Sequence, residues 1–390
     1  MDTSQVAPIL GGHAAREDLA MTAGRVLGLA LGVTGALWGS TAAARYAPRL
    51  EGVPRLEGVP RYAHVVVILE ENKDYEQIMS PASAPHIAAL AKTYGVATQF
   101  FGEVHPSEAN YIALLGGDTF GIHDDDAYYC KPGVVDPNCA SATKQTPYPD
   151  HTVHAPHLGD QLAAVGLTWK GYNEDLPAAG SLAYTFDPHP ENAARPLAYY
   201  AQKHSGFVFF ASAQDDPNRA KHIVGFDQLK ADLAANALPN FALIVPNQCN
   251  EMHGLWGPGT PTDCDIGKTG PLIKRGDAVV GDLVAQLQAS AAWASKENMA
   301  IVITFDEGGQ GSRLGCCAVT PNAPSNFGGG HIPAIVITNH GPRGALDATP
   351  YNHYSLLRTL EDAFGIATHL RHANDAALGV KAMTPLFKVK

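Results

Sequence analysis

The chain has 390 residues, 45% hydrophobic and 17% charged, which is enough apolar material for one large core or two modest ones. Its formal net charge of −11 argues against a nucleic-acid partner, which needs a basic face, and slows approach to anionic membranes. Residues 1–44 are not patterned like a folded domain. After Arg25 an uncharged run of 19 residues (26–44) ends in small side chains, the form of a secretory signal; an uncleaved anchor is the alternative, and Met21 is a second possible start. Residues 50–61 repeat LEGVPR twice, so 45–61 reads as a linker.

Beyond the linker, short branched runs without alternation predict strands buried on both faces: HVVVIL (64–69), FVFF (207–210), FALIV (241–245), AIVITF (300–305) and PAIVIT (333–338). Helical spacing falls between them at 84–94, 107–115, 157–165, 272–293 and 353–364. The alternation predicts an α/β fold, a three-layer α/β/α sandwich over 62–370 with a parallel sheet, followed by a surface segment at 371–390. Six cysteines, all beyond the leader, fit a secreted or periplasmic protein with no stable membrane span once the signal is cleaved. Cys130–Cys139 and Cys249–Cys264 are the short-loop pairings; the adjacent Cys316 and Cys317 bridge each other or separate partners.

Ligands of such sheets gather at the carboxyl ends of strands, where this chain places its polar clusters. Glu70-Glu71-Asn72 follow the first strand, and Asp306-Glu307 follow AIVITF. PNQCNEMHG after FALIV brings Asn247, Asn250, Glu251 and His253; His331 and His340 flank PAIVIT, and His353 opens the last helix. Each cluster alone reads as an ordinary strand exit or cap. His151, His154 and His157 read as loop or helix-start residues. Together, two acidic pairs converging on one edge repel unless a cation lies between them, and oxygen donors suit a hard divalent ion, Ca²⁺ or Mg²⁺ rather than Zn²⁺. Ser107 opens a helix, where free N–H groups favour a phosphoryl anion, and a cation there would let its hydroxyl ionise. The reading is metal-assisted phosphoryl transfer to serine.

Seven segments in order carry a resemblance: VVVILEENKDY, EVHPSEANYIALLGGDTFG, WKGYNEDLPAAGS, VPNQCNEMH, VITFDEGG, GGGHIPAIVIT and YNHYSLLRTLEDAFGI. They resemble the bacterial phosphoesterase family, which holds secreted acid phosphatases and phosphatidylcholine-type phospholipases C on an alkaline-phosphatase-like fold. The resemblance implies that Glu71, Asn72, Asp306, Glu307 and Ser107 hold one divalent metal, with Ser107 also the nucleophile. It implies that His105, His253 and His353 surround the phosphate, one of the last two protonating the leaving group. Asn173, beside Asp175, has a supporting place, and Asn250 and His331 complete the expected substrate contacts. The implied substrate is a small phosphomonoester, phosphoinositides included, or a phospholipid headgroup; a phospholipase C-type phosphodiesterase is the runner-up. A segment from Leu314 to Phe327 departs from the smallest relatives; because it closely follows the acidic pair, it is expected to reshape the pocket mouth.

Overall fold

The computed structural model describes residues 55–192, 195–309, 311–319 and 326–389. The leader and the first repeat copy, apart from Arg55, lie outside these residues. Nine strands form the main sheet: β1 His64–Glu70, β2 Gly95–Phe101, β3 Trp169–Asn173, β4 Ile223–Val224, β5 Phe241–Val245, β6 Met299–Phe305, β7 His331–Thr338, β8 Ala345–Asp347 and β9 Tyr351–Asn352. Their order is β8-β2-β7-β6-β1-β5-β3-β4, with β9 also beside β2. The three central strands β1, β6 and β7 are buried along nearly their whole length, as strands covered on both faces must be.

The helices named here are α1 Pro85–Thr93, α2 Glu108–Gly116, α3 Leu158–Ala164, α4 Phe226–Ala234, α5 Thr269–Gln288 and α6 His353–Phe364. α1 packs on α5, and α2, α3 and α6 pack on one another, giving the two outer layers of the sandwich. α2 ends at Gly117, whose φ of 75° is left-handed; a Cβ there would also lie 2.5 Å from the Leu370 carbonyl oxygen, so only glycine fits. α6 is buried on every side, polar residues included, and Glu361 Oε1 there accepts from the Leu370 N–H at 2.8 Å.

Four expectations change. The sheet is mixed: β7 runs antiparallel to both β6 and β2, while every other pairing is parallel. His331, at the start of β7, is therefore on the site edge beside Phe101, and His340, after its end, is on the opposite edge. FVFF is no strand; beyond Gly206 (φ 63°) Phe207–Phe209 coil into a single 3₁₀ turn packed on Trp169 and His157. A short apolar run cannot by itself tell a buried turn from a strand. The second LEGVPR copy is docked: Val59 is buried and Glu57 Oε2 accepts from Arg358 Nε at 2.9 Å. The segment expected on the surface instead buries Ala373, Val380, Met383, Leu386 and Phe387, because Tyr62 and α6 leave apolar surface for it to cover. Disulfides join Cys130–Cys139, Cys249–Cys264 and Cys316–Cys317.

Candidate active site

β1 and β6 are neighbours in register, Glu70 opposite Phe305, so the residues after them emerge side by side. The Asp306 N–H donates to the Glu70 carbonyl at 3.0 Å, and the Asn72 N–H donates to Asp306 Oδ1 at 3.1 Å. Ser107, the N-cap of α2 and 1% exposed, does not cap the helix with its side chain. Its hydroxyl instead faces Glu71 Oε2 (3.0 Å), Asn72 Oδ1 (3.4 Å) and Glu307 Oε1 (3.5 Å). The inner end of the Asn72 amide meets Glu71 Oε2 at 2.9 Å, both Asp306 oxygens at 3.1 and 3.2 Å, and Glu307 Oε1 at 3.2 Å. With nitrogen inward Asn72 offers its two N–H groups to these four oxygens; with oxygen inward it completes a shell made only of oxygen.

That donor set fits a hard divalent cation. Burial, followed by the charge of Asp306, pushes the Glu71 and Glu307 carboxyls well above the usual range. Burial likewise lifts Asp306 to about 6. Buried carboxylates in this state are destabilised as anions, and a cation among them relieves the conflict.

The remaining expected residues divide. His105 Nδ1 contacts Glu307 Oε2 and its Nε2 bonds the Ser312 carbonyl at 2.8 Å, so it borders the cluster. His253 bonds Gly254 O through Nδ1 (2.8 Å), leaving Nε2 3.4 Å from Lys203 Nζ; burial, then Lys203, hold its proton affinity down to about 3. His353 lies behind the cluster. Its Nδ1 pairs with Glu103 Oε2 and its Nε2 with the Phe305 carbonyl (2.9 Å), so neither nitrogen faces the pocket. Burial opposes its charge, but Glu103 holds it above the ordinary value.

Asn173 ends β3 with an unpartnered Nδ2, on the wall of a small cavity shared with His204 and Glu251. Asn250 is turned away, its Nδ2 on Glu174 Oε2 (2.8 Å) and its Oδ1 on Arg275 Nε (2.7 Å). His331 stacks on Tyr75 with ring centres 4.5 Å apart and bonds Thr98 O at 3.0 Å. Neither of the last two joins the Ser107 cluster. His157 caps α3 through Gly159 N–H (2.9 Å), and His151 is clamped between Glu108 and Asp124 (2.7 and 3.2 Å).

Three neighbours escaped the sequence reading. Glu103 stands two residues beyond the end of β2. Lys203 and His204 occupy a single 3₁₀ turn, Gln202–His204, with no periodicity to mark them; the Lys-His pair just before FVFF is the only sign of them. His204 Nε2 is 3.2 Å from Glu71 Oε1 and its Nδ1 is 2.7 Å from Glu251 Oε1. Glu71, His204 and His253 each offer a donor atom, all within 4.8 Å of one another. The first free N–H expected at the α2 terminus, that of Glu108, is taken by Asp125 Oδ1 (3.2 Å).

The model of the Phosphoesterase family matches residues 79–367, a span that includes Ser107 and Asp306-Glu307 and begins after Glu71-Asn72. Phosphatidylinositol-3-phosphatase of Mycobacterium tuberculosis is 30% identical over 78% of this chain and 78% of its own length. The phosphate-repressible acid phosphatase of Penicillium chrysogenum is 28% identical over 76% of this chain, which spans 57% of that enzyme. The hemolytic phospholipase C of Pseudomonas aeruginosa is 26% identical over 53% of this chain and 29% of its own length. A solved alkaline phosphatase superfamily protein from Vibrio parahaemolyticus superposes with a TM-score of 0.48 at 13% identity, covering 81% of this chain and 69% of that one.

Proposed function

Because the chain belongs to the Phosphoesterase family, we propose that it is a secreted, metal-dependent phosphomonoesterase in which Ser107 takes up the phosphoryl group. The observation that carries this reading is the Ser107 hydroxyl, buried and uninvolved in capping, facing Glu71, Asn72 and Glu307 at 3.0–3.5 Å. A structural cation site would not need that serine. Glu71, Asn72, Asp306, Glu307 and Ser107 would hold one Ca²⁺ or Mg²⁺, which when bound would neutralise phosphoryl charge and favour the ionised serine.

In this reading the Ser107 Oγ–phosphorus bond forms as the ester phosphorus–oxygen bond breaks, and the hydroxyl proton leaves on the side of Glu71 Oε2, its acceptor at 3.0 Å. The departing alcohol oxygen takes a proton. His353 is sealed on both nitrogens, which leaves His253, whose Nδ1 bond to Gly254 reserves Nε2. Its low proton affinity rises when a phosphoryl anion stands beside it, so the proton arrives together with the substrate. Water then cleaves the phosphoserine and releases phosphate. The phosphatidylinositol-3-phosphatase and acid phosphatase relatives support monoester substrates, phosphoinositides among them. The three disulfides support an oxidising compartment.

The test compares phosphate release from an aryl phosphomonoester with choline-phosphate release from a diester, from about pH 4 to 9, where a histidine acid would titrate. We expect monoester hydrolysis that a chelator abolishes and that Ser107→Ala lowers at least ~10³-fold. Wild-type turnover in Ser107→Ala would remove the nucleophile, and diester cleavage without monoester cleavage would install the phospholipase reading.

A further inference from the structure

We propose that Lys203 holds, as a fixed ammonium, the position a second metal ion would otherwise occupy beside Ser107, so that the centre works with one divalent cation and one lysine. The inference rests on the phosphomonoesterase reading for its catalytic meaning, but not for its geometry.

Glu71 is shared between two donor sets. Its Oε2 faces Ser107 and the all-oxygen cluster, while its Oε1 is 3.2 Å from His204 Nε2. With His253 these make a carboxylate and two imidazoles within 4.8 Å of one another, donors that suit a zinc-type ion. Two sets sharing one carboxylate have the form of a two-metal phosphoryl-transfer site. In this chain an amine stands beside that set. Lys203 Nζ lies 3.4 Å from His253 Nε2, the one nitrogen of that ring not spent on Gly254. Asp125 Oδ2 accepts from the same ammonium at 2.9 Å and holds it in place.

The anchoring is built into the fold. Lys203 and His204 are consecutive residues of one 3₁₀ turn, so the amine and the imidazole arrive together. Asp125 fixes the ammonium with one oxygen and receives the Glu108 N–H of α2 with the other (3.2 Å), tying the amine to the helix that carries Ser107. A divalent ion bound by His204 and His253 would meet this ammonium at close range and be repelled. What remains is a charge with N–H donors, set to receive a phosphoryl or leaving-group oxygen.

Metal content tests this without reference to turnover. Protein dialysed against excess Zn²⁺ and Mg²⁺, desalted and analysed by inductively coupled plasma mass spectrometry should carry one ion per chain. Lys203→Ala and the isosteric Lys203→Met should each carry two, the added ion being Zn²⁺, whereas Lys203→Arg should stay at one. The alanine and methionine variants, assayed before Zn²⁺ loading, should bind inorganic phosphate about tenfold more weakly, as expected for one lost charge-assisted contact. Two ions in the wild type, or one ion in both neutral variants, would overturn the proposal. Full turnover in Ser107→Ala would remove the functional reading and leave the metal count standing.

Discussion

Glu361 offers a direct measure of what the buried acids of this fold contribute at different pH. It is fully buried on α6, its Oε1 bonded to the Leu370 N–H and Gln161 beside its carboxyl. Burial raises its carboxyl from the ordinary 4.5 to about 8. Between these values the folded chain binds more protons than the unfolded chain, so stability falls as pH rises from about 4.5 towards about 8. At about 1.4 kcal/mol per pH unit the full cost approaches ~5 kcal/mol, and local relaxation should reduce the visible part to roughly half. Glu361→Gln keeps an oxygen acceptor for the Leu370 N–H and removes the titratable group. Urea unfolding at pH 5 should find variant and wild type alike. At pH 9 the variant should be more stable by about 2–3 kcal/mol. Equal stability of the two proteins at pH 9 would refute the account of Glu361 as a buried carboxyl that prefers its proton.

Two further outcomes follow from pairings around the site. Glu103→Gln leaves the His353 imidazolium without its buried anion and should cost ~3 kcal/mol in urea unfolding. Because His353 touches the Phe305 carbonyl just ahead of Asp306, kcat should fall in that variant with KM little changed. The double variant Cys249→Ser/Cys264→Ser opens a 15-residue loop that holds His253 and should lose about 3 kcal/mol in the same assay, with a lower melting temperature by calorimetry.

The central layer was legible because β1, β5 and β6 are runs of branched apolar residues, richer in Val and Ile than the FVFF turn, and are buried along their length. β2 and β3 were not. GVATQFF carries Thr98 and Gln99 at an irregularity between Ala97 and Phe100, and WKGYN carries Lys170, whose ammonium reaches Asp232 from a half-buried position. The oxygen cluster could be assembled from residues following buried strands, since adjacent parallel strands deliver their exits to one place. His353 could not be judged that way: its position at a helix start is visible in sequence, but the Glu103 and Phe305 contacts that seal it come from 250 and 48 residues away. Asn250 was misplaced for a similar reason, because Glu174 and Arg275 draw it to the far side of its own loop. Lys203 and His204 lie in a turn whose place is set by tertiary packing alone.

The reversed direction of β7 has an evolutionary consequence. The chain leaves β6 through Asp306-Glu307 and enters β7 at His331 on one edge, with the Gly308 N–H donating to the Gly329 carbonyl at 2.7 Å. A stretch whose two ends are fastened together can lengthen or shorten without moving a strand, at a closure cost of only about 0.6 kcal/mol per doubling. Selection can thus vary the connection from β6 to β7 while the acidic pair that directly precedes Gly308 stays in register. Libraries aimed at new leaving groups belong in that connection, away from Ser312 and Asn326, which bond His105 beside the cluster.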